Sequence, residues 1–175
     1  MPPVELIYFN PSRPIINGVL GRLLPLRKPL NNFGDLLGPI VVHSLLSKAG
    51  IDLQQRTNKR SRLLTIGSIL HLAQTGDVIW GTGRNGKVAD EAHKFTSLDI
   101  RAVRGPLTRE FLLKRGIHAP AIYGDPGLLV PHVMPELVET AKRPEHRFTY
   151  IPNYNDLEWA PKVDCLLDPR SPLEN

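Results

Sequence analysis

Cysteine is almost absent from this sequence of 175 residues, since Cys165 is the only one. A single cysteine excludes an internal disulfide framework and a zinc site built from several cysteines. No apolar run approaches the roughly 20 residues that cross a bilayer, and the first residues lack the basic-then-apolar pattern of a secretory signal. With 41% hydrophobic and 22% charged residues, the composition is that of a globular protein. We expect a cytoplasmic protein in a reducing compartment.

Histidine and basic residues narrow the classes of ligand. The six histidines are scattered without ligand spacing, so we expect neither a metal site nor a bound cofactor. The net charge of +5 and the pI near 9.6 favour encounter with anions. The basic stretch 56–62 contains no aromatic residue for base stacking, which favours a solvated loop and predicts no nucleic-acid partner. Peripheral contact with the inner face of the membrane stays open for this stretch, as does homo-oligomerisation of the chain.

Apolar segments with strand-like and helix-like spacing alternate along the chain. This order predicts an α/β fold with a doubly wound, mostly parallel sheet covered on both faces. The length allows one full domain, at 1–144, and the start of a second, truncated α/β domain at 145–175, with a linker at 143–146. The predicted strands are 4–9, 62–66, 77–80, 99–103, 148–151 and 163–167, and the predicted helices are 36–46, 69–73, 87–95, 107–114 and 135–143. The stretch 10–32 is predicted to be a long loop.

Glycine-containing corners follow the predicted strands or open the predicted helices. In open parallel sheets such corners line the edge formed by the carboxyl ends of the strands, where backbone N–H groups and helix N-termini bind anions. The sequence therefore predicts an anion-binding cleft at this edge. The corners are Asn32-Phe33-Gly34-Asp35, Gly67-Ser68, Gly81-Thr82-Gly83, Val103-Arg104-Gly105-Pro106 and Tyr123-Gly124-Asp125-Pro126-Gly127.

The same corners, in this order and extended by Ile69-Leu70, Val78-Ile79-Trp80 and Leu107-Thr108, resemble the polysaccharide pyruvyl transferases over about residues 4–155. The resemblance implies transfer of the pyruvyl group of phosphoenolpyruvate to two hydroxyls of a saccharide, as a cyclic ketal, in exopolysaccharide or cell-surface polysaccharide biosynthesis. It also implies a two-domain fold of the glycosyltransferase B type, of which this chain is the Rossmann-like N-terminal half. The implied partners are phosphoenolpyruvate and a saccharide or lipid-linked oligosaccharide acceptor.

Ketal formation requires a general acid, a general base and donors for a carboxylate and a phosphate. Asp35 is the candidate catalytic residue, because it could orient or deprotonate an acceptor hydroxyl; the alternative is a helix N-cap. Arg104 has a purely structural salt bridge as its alternative, Ser68 an ordinary tight turn, and Asp125 a turn-stabilising acceptor of backbone N–H groups. The candidate substrate-binding residues are Asn32, Gly34, Gly67, Ser68, Gly81, Thr82, Gly83, Arg101, Arg104 and Asp125.

Three other interpretations remain open. Residues 81–86 fit the dinucleotide fingerprint G-x-G-x-x-G after a strand, which would indicate a nicotinamide enzyme. A B-type glycosyltransferase that uses a nucleotide sugar would have the same layered fold. The Ser-Leu-His-Gly type motif, which belongs to the later part of the pyruvyl transferases, has no counterpart in these residues. A non-catalytic saccharide-binding fragment is therefore the third interpretation.

Overall fold

The computed structural model describes residues 4–15, 26–51 and 61–171. Strands and helices alternate in it along much of the chain. The strands are β1 (Val4–Ile7), β2 (Ser12–Pro14), β3 (Arg27–Pro29), β4 (Ser61–Leu64), β5 (Val78–Trp80) and β6 (Asp99–Ala102), and the helices are α1 (Phe33–Lys48), α2 (Pro106–Lys114), α3 (Val130–Val133) and α4 (Pro135–Ala141). Short 3₁₀ turns lie at Leu70–Leu72, Asp90–Ala92, Pro126–Leu129 and Leu157–Trp159.

Four of the described strands form a parallel sheet in the order β1-β4-β5-β6. A parallel bridge between Val103 and Tyr123 continues the sheet beyond β6. The predicted α/β class with a mostly parallel sheet is therefore confirmed. The order of the described strands follows the chain without the reversal that defines a switch point, so the doubly wound arrangement stays a prediction. Strands β2 and β3 pair antiparallel as a separate two-stranded sheet. The prediction that 10–32 is a long loop is therefore wrong for these two strands, because their backbones hydrogen-bond to each other.

Helices cover both faces of the parallel sheet. Because successive side chains of a strand point to opposite faces, β4 divides its two leucines between them. Leu64 packs in a buried cluster with Phe111 and Leu112 of α2, whereas Leu63 lines an apolar groove with Val42 of α1. The sheet therefore supplies core residues on one side and a more open apolar surface on the other.

The helix predictions met different outcomes. Helix α1 begins at Phe33, earlier than the predicted 36, and Gly50 after it takes the left-handed φ of +70°. Pro106 opens α2 as predicted, and Gly116, two residues after the end of the helix, has a left-handed φ of +73°. The predicted helix 87–95 is wrong, because only the 3₁₀ turn Asp90–Ala92 forms there. Its residues 93 and 95 alternate into the core, which is a strand-like spacing rather than a helical one.

The C-terminal segment folds back on the first part of the chain. The predicted strands 148–151 and 163–167 reduce to one parallel bridge between Tyr150 and Leu166. The backbone N–H of Phe33, at the start of α1, donates to the carbonyl of Pro169 at 2.9 Å. Pro169 therefore lies beside the first turn of α1. No helix among the residues that the structure describes has the length and apolarity needed to cross a membrane.

Candidate functional site

Two of the predicted corners are joined by hydrogen bonds at the carboxyl ends of β4 and β5. The fully buried hydroxyl of Thr82 donates to the carbonyl of Gly67 at 2.8 Å and accepts from the N–H of Ile69 at 3.3 Å. The N–H of Gly83 also donates to the carbonyl of Gly67, at 3.0 Å. Gly67 itself takes φ +101°, which an L side chain rarely adopts. These bonds fix the turn that presents Ser68.

Arg104 links three corners. Its Nη1 donates to the hydroxyl of Ser68 at 2.8 Å, and its Nε and Nη2 donate to Oδ2 of Asp125 at 3.1 and 2.9 Å. Oδ1 of Asp125 accepts from the N–H of Gly127 at 2.9 Å, so this carboxylate also stabilises its own turn. A side chain on Gly83 would lie 3.3 Å from Cδ of Arg104, and the glycine leaves room for the arginine to cross. The charge of Arg104 is held at the edge of the sheet.

A second glycine contact closes the corner after β5. Gly81 has φ +90°, and a Cβ built on it would lie only 2.2 Å from Cδ of Pro126 and 2.8 Å from the carbonyl oxygen of Gly124. Since the N–H of Gly81 also donates to the carbonyl of Ala102 at 2.9 Å, the corner is pinned to β6. The corner after β5 and the corner that contains Pro126 therefore occupy adjoining space with no room for a side chain between them.

Asp35 belongs to the first turn of α1 and is half-buried. Its Oδ2 accepts a hydrogen bond from the side-chain amide of Asn32 at 2.7 Å. The predicted N-cap role of Asp35 is wrong, because Asn32 occupies the N-cap position and Asp35 is the third residue of the helix. Burial raises the pKa of Asp35, while the Asn32 hydrogen bond and the positive charge of Arg104 lower it to a lesser extent. The carboxyl group therefore holds a proton more readily than an exposed aspartate does.

These elements surround a cavity of about 570 Å³, within the range of ligand sites. The first turn of α1 forms one wall, the segment from Ser68 to His71 a second, and the loop 85–88 a third. The fourth wall comes from the C-terminal segment. The lining residues are Phe9, Asn32, Asp35, Ser68, Ile69, His71, Asn85, Gly86, Lys87, Val88, Asn153, Tyr154 and Asn155. The cavity thus combines one carboxyl group, one imidazole and one lysine with several amides, which suits a polar, anionic ligand.

The structure brings most of the predicted site residues together. Asn32, Asp35 and Ser68 line the cavity, and Gly34 lies in the same first turn of α1. Behind them lie the residues that build the edge of the sheet: Gly67, Gly81, Thr82, Gly83, Arg104 and Asp125. Arg101 lies apart, because its side chain pairs with Asp99 at 2.8 Å and lines the apolar groove on the α1 side of the sheet.

The G-x-G-x-x-G run and the basic stretch 56–62 are the two other features that stand out in the sequence. No helix follows the G-x-G-x-x-G run at 81–86, so the fingerprint lacks the strand–turn–helix context that a dinucleotide site requires. Within the basic stretch, residues 56–60 lie outside the described residues. Arg62 is described: it belongs to β4 and donates to Asp77, whose side chain is 4% exposed, at 3.0 Å.

Several cavity residues were not predicted as site residues. Lys87 and Asn85 follow the glycines of the corner after β5. Their position directly after this corner could have predicted that they lie at the site. His71 follows the Gly67-Ser68 turn by three residues. The wall formed by Asn153, Tyr154 and Asn155 carries no local signal, because it depends on the return of the C-terminal segment to α1.

Comparison with known proteins gives no match, whether to protein-family models, to curated proteins or to solved structures. Within the described residues, no group of three or more histidine, cysteine, aspartate or glutamate side chains is placed to hold a metal ion. The function must therefore be argued from the geometry of the cavity and from the motifs that build its edge.

Proposed function

We propose that this chain is the Rossmann-like N-terminal part of a pyruvyl transferase of the glycosyltransferase B type, which uses phosphoenolpyruvate to form a ketal on a saccharide. One observation carries the proposal: Asp35, Ser68 and Arg104, from three distant corners of the chain, meet at the carboxyl edge of one parallel sheet. The order of these corners along the sequence is the order that resembles the pyruvyl transferases. Ligand sites of open α/β sheets lie at this edge.

The donor carries a phosphate and a carboxylate. The cavity offers Lys87 and polar donors to these groups, and Arg104 lies at the edge of the sheet behind it. Lys87 is exposed on the loop 85–88 and supplies an ammonium group. Arg104 uses three of its five N–H groups on Ser68 and Asp125, which leaves two for an anion. We assign the phosphate of phosphoenolpyruvate to the side of the cavity that lies between Lys87 and Ser68.

The acceptor saccharide requires a group that takes a proton from its hydroxyl. Asp35 is suited to this role, because a carboxylate whose pKa is raised by burial is a stronger base than an exposed one. The amides of Asn32, Asn153 and Asn155 can donate to and accept from sugar hydroxyls. We assign the saccharide to the wall formed by the C-terminal segment.

The same proposal includes a cytoplasmic location at the inner face of the membrane, where lipid-linked oligosaccharide acceptors are presented. The net charge of +5 supports attraction to an anionic lipid surface. Sedimentation of the chain with vesicles that contain anionic lipid, compared with neutral vesicles at the same ionic strength, measures this contact. Equal sedimentation with both vesicles would remove the membrane from the proposal.

The test of the reaction is incubation of the chain with ¹³C-labelled phosphoenolpyruvate and a panel of saccharides. Release of phosphate together with a ketal carbon signal on the saccharide is the expected result. Asp35→Asn should lower the rate about 100-fold, as loss of a general base does. Asp99→Asn is the matched control, because that carboxylate pairs with Arg101 away from the cavity. A chain that neither binds phosphoenolpyruvate nor forms the ketal would contradict the proposal.

A saccharide-binding role without turnover is the second candidate, and the amide-rich C-terminal wall favours it. Asn153, Tyr154 and Asn155 could hold a sugar even where no transfer occurs. Thermal unfolding with separate ligands distinguishes the candidates. Stabilisation by saccharide alone supports binding without turnover, stabilisation by phosphoenolpyruvate supports the transferase, and stabilisation by nucleoside diphosphates alone supports a nucleotide-sugar glycosyltransferase.

A further inference from the structure

Two histidines lie one behind the other at the wall of the cavity. The ring of His71 lines the cavity that Asp35 also lines. His93 lies behind it with 2% of its surface exposed, and the two ring centroids are 6.4 Å apart with the ring planes nearly perpendicular. The pair thus connects a fully buried imidazole to one that reaches the ligand site.

Both histidines hold a buried ring nitrogen for which the described residues supply no partner. These atoms are Nδ1 of His71 and Nε2 of His93. The other nitrogen of His93, Nδ1, lies 3.3 Å from the carbonyl oxygen of Asp90, and since that oxygen only accepts, Nδ1 must carry the proton. In a neutral ring Nε2 of His93 is then a buried acceptor. Buried polar atoms are normally hydrogen-bonded, and a centroid separation of 6.4 Å leaves room for one water molecule between the two rings.

The surroundings keep His93 neutral and fixed. Phe95 and Phe111 contact its ring, at centroid distances of 5.9 and 4.8 Å. Burial lowers the pKa of His93, hydrogen bonding with the backbone of Asp90 and Ala89 raises it to a lesser extent, and the charges of His71 and Arg115 lower it by smaller amounts. Arg115 donates to the carbonyl of His93 at 2.7 Å and lies over both phenylalanine rings.

Other charged groups near the pair lie at its borders. Arg84 lies over the ring of Phe111 and pairs with Asp90. On the cavity side, Asp35 and Lys87 line the same space as His71. On the side of His93, Arg84 and Asp90 thus neutralise each other and Arg115 contributes a positive charge. On the side of the cavity, His71 has one negative group, Asp35, and one positive group, Lys87.

We propose that His71 exchanges protons with the ligand through its Nε2 and that His93 is its positioning residue. The Nδ1–H of His71 donates a hydrogen bond to one buried water molecule, which in turn donates to Nε2 of His93. Buried waters commonly satisfy such pairs of polar atoms. This inference rests on the proposed function for the identity of the ligand, but the link between the two rings does not. The carbonyl of Asp90 orients His93, and His93 in turn fixes the tautomer and ring orientation of His71. Catalytic histidines are oriented in the same way by a hydrogen-bond acceptor behind the ring.

The proton transfers of ketal formation balance with these two groups. His71, in its imidazolium form, gives its Nε2 proton to the methylene carbon of phosphoenolpyruvate while Asp35 takes the proton of the first hydroxyl, whose oxygen bonds to the central carbon. The phosphate then leaves with the electron pair of its carbon–oxygen bond and takes the proton from Asp35. The second hydroxyl oxygen bonds to the same carbon, and its proton returns to His71. Both groups end in the states in which they began.

The ring link is tested on the ligand-free chain by ¹⁵N NMR of the histidine rings. We expect neutral His93 to carry its proton on Nδ1 and neutral His71 to carry its proton on Nδ1 as well. His93→Phe should shift His71 to the Nε2-protonated tautomer, with His93→Gln as the second variant if the phenylalanine prevents folding. His118→Asn is the matched control, because this histidine is exposed and remote from the cavity. An Nε2-protonated His71 in the unmodified chain, or an unchanged tautomer in both variants, overturns the proposal.

The catalytic part is tested by the rate of ketal formation. His71→Asn should lower kcat about 100-fold, as loss of a general acid does. His93→Phe should lower kcat about 10-fold, leave KM for phosphoenolpyruvate nearly unchanged and shift the pH profile of kcat, whereas a merely structural role would leave that profile in place. Retention of full activity by His71→Asn overturns the role of His71. If the unmodified chain forms no ketal, the proposed function fails, while the NMR experiment still decides the link between the rings.

Discussion

Replacement of Gly81 by alanine tests how the edge of the sheet is closed. Two glycines of this chain have nearly the same left-handed backbone, with φ +90° at Gly81 and φ +89° at Gly76. A Cβ at Gly76 would meet nothing within 4 Å, whereas a Cβ at Gly81 would lie 2.2 Å from Cδ of Pro126. Gly76→Ala is therefore a matched control that carries the same backbone strain without the steric clash.

The magnitudes follow from these two effects. An L side chain in the left-handed region costs about 1–2 kcal/mol, which both variants should lose from the free energy of unfolding. Overpacking adds about 1–3 kcal/mol at Gly81 only, because the ring of Pro126 and the carbonyl of Gly124 must move away. We therefore expect Gly81→Ala to be less stable than Gly76→Ala by about 1–3 kcal/mol.

Urea unfolding followed by circular dichroism measures both free energies, and equal m-values show that the two variants can be compared. The Gly81→Ala chain should also bind its ligand more weakly. The displaced corner contains Thr82, whose hydrogen bond holds the Gly67 turn in place. If the two variants agree within about 0.5 kcal/mol, the contact with Pro126 does not constrain the corner and the reasoning is refuted.

Three further substitutions have expected outcomes. Burial raises the pKa of Asp35 above its ordinary 3.8, so between these two pKa values the folded chain holds a proton that the unfolded chain has released, and the free energy of unfolding falls as pH rises through this range. In urea unfolding at several pH values, Asp35→Asn should lack this fall. The same pH dependence in the variant and the unmodified chain would contradict the prediction. Arg62→Met leaves the buried carboxylate of Asp77 unpaired and should cost about 3 kcal/mol by the same assay, whereas Arg101→Met, at an exposed pair, should leave stability unchanged; equal losses would argue against a buried charge effect. Thr82→Val removes two buried hydrogen bonds and should cost about 1–3 kcal/mol, and a neutral result would show that the Gly67 turn does not need them.

The sequence predicts the edge of the sheet well, because its signals are local. Gly67, Gly81 and Gly116 take left-handed conformations that glycine adopts without strain, and each follows a strand or ends a helix. Once the strands are parallel, their carboxyl ends meet at one edge, which brings Ser68 and Arg104 to within 2.8 Å of each other. Apolar spacing and glycine positions are therefore sufficient to place this part of the site.

The rest of the cavity depends on contacts between distant segments, which local spacing does not encode. The helix predicted at 87–95 fails because His93 and Phe95 are drawn into the core by Phe111 and Arg115, and tertiary packing outweighs helix propensity there. Asn153 and Tyr154 reach the cavity only through the return of the C-terminal segment to α1. The start of α1 differs from the prediction by a few residues, as helix ends commonly do.

The order of the parallel strands bears on how this sheet assembles. In the sheet order β1-β4-β5-β6, β5 and β6 each pair with the strand that precedes them along the chain, whereas β4 pairs with β1, and β2 and β3 lie between these two in the sequence. The connections from β4 to β5 and from β5 to β6 are shorter than the connection from β1 to β4, which contains β2, β3 and α1. Since closing a longer loop costs more entropy, we expect a folding nucleus of β4, β5 and β6 with α2, to which β1 and α1 dock later. During synthesis β1 emerges from the ribosome before its partner strand β4 has been made. The unpaired edge of β1 is therefore where we expect aggregation during synthesis to begin.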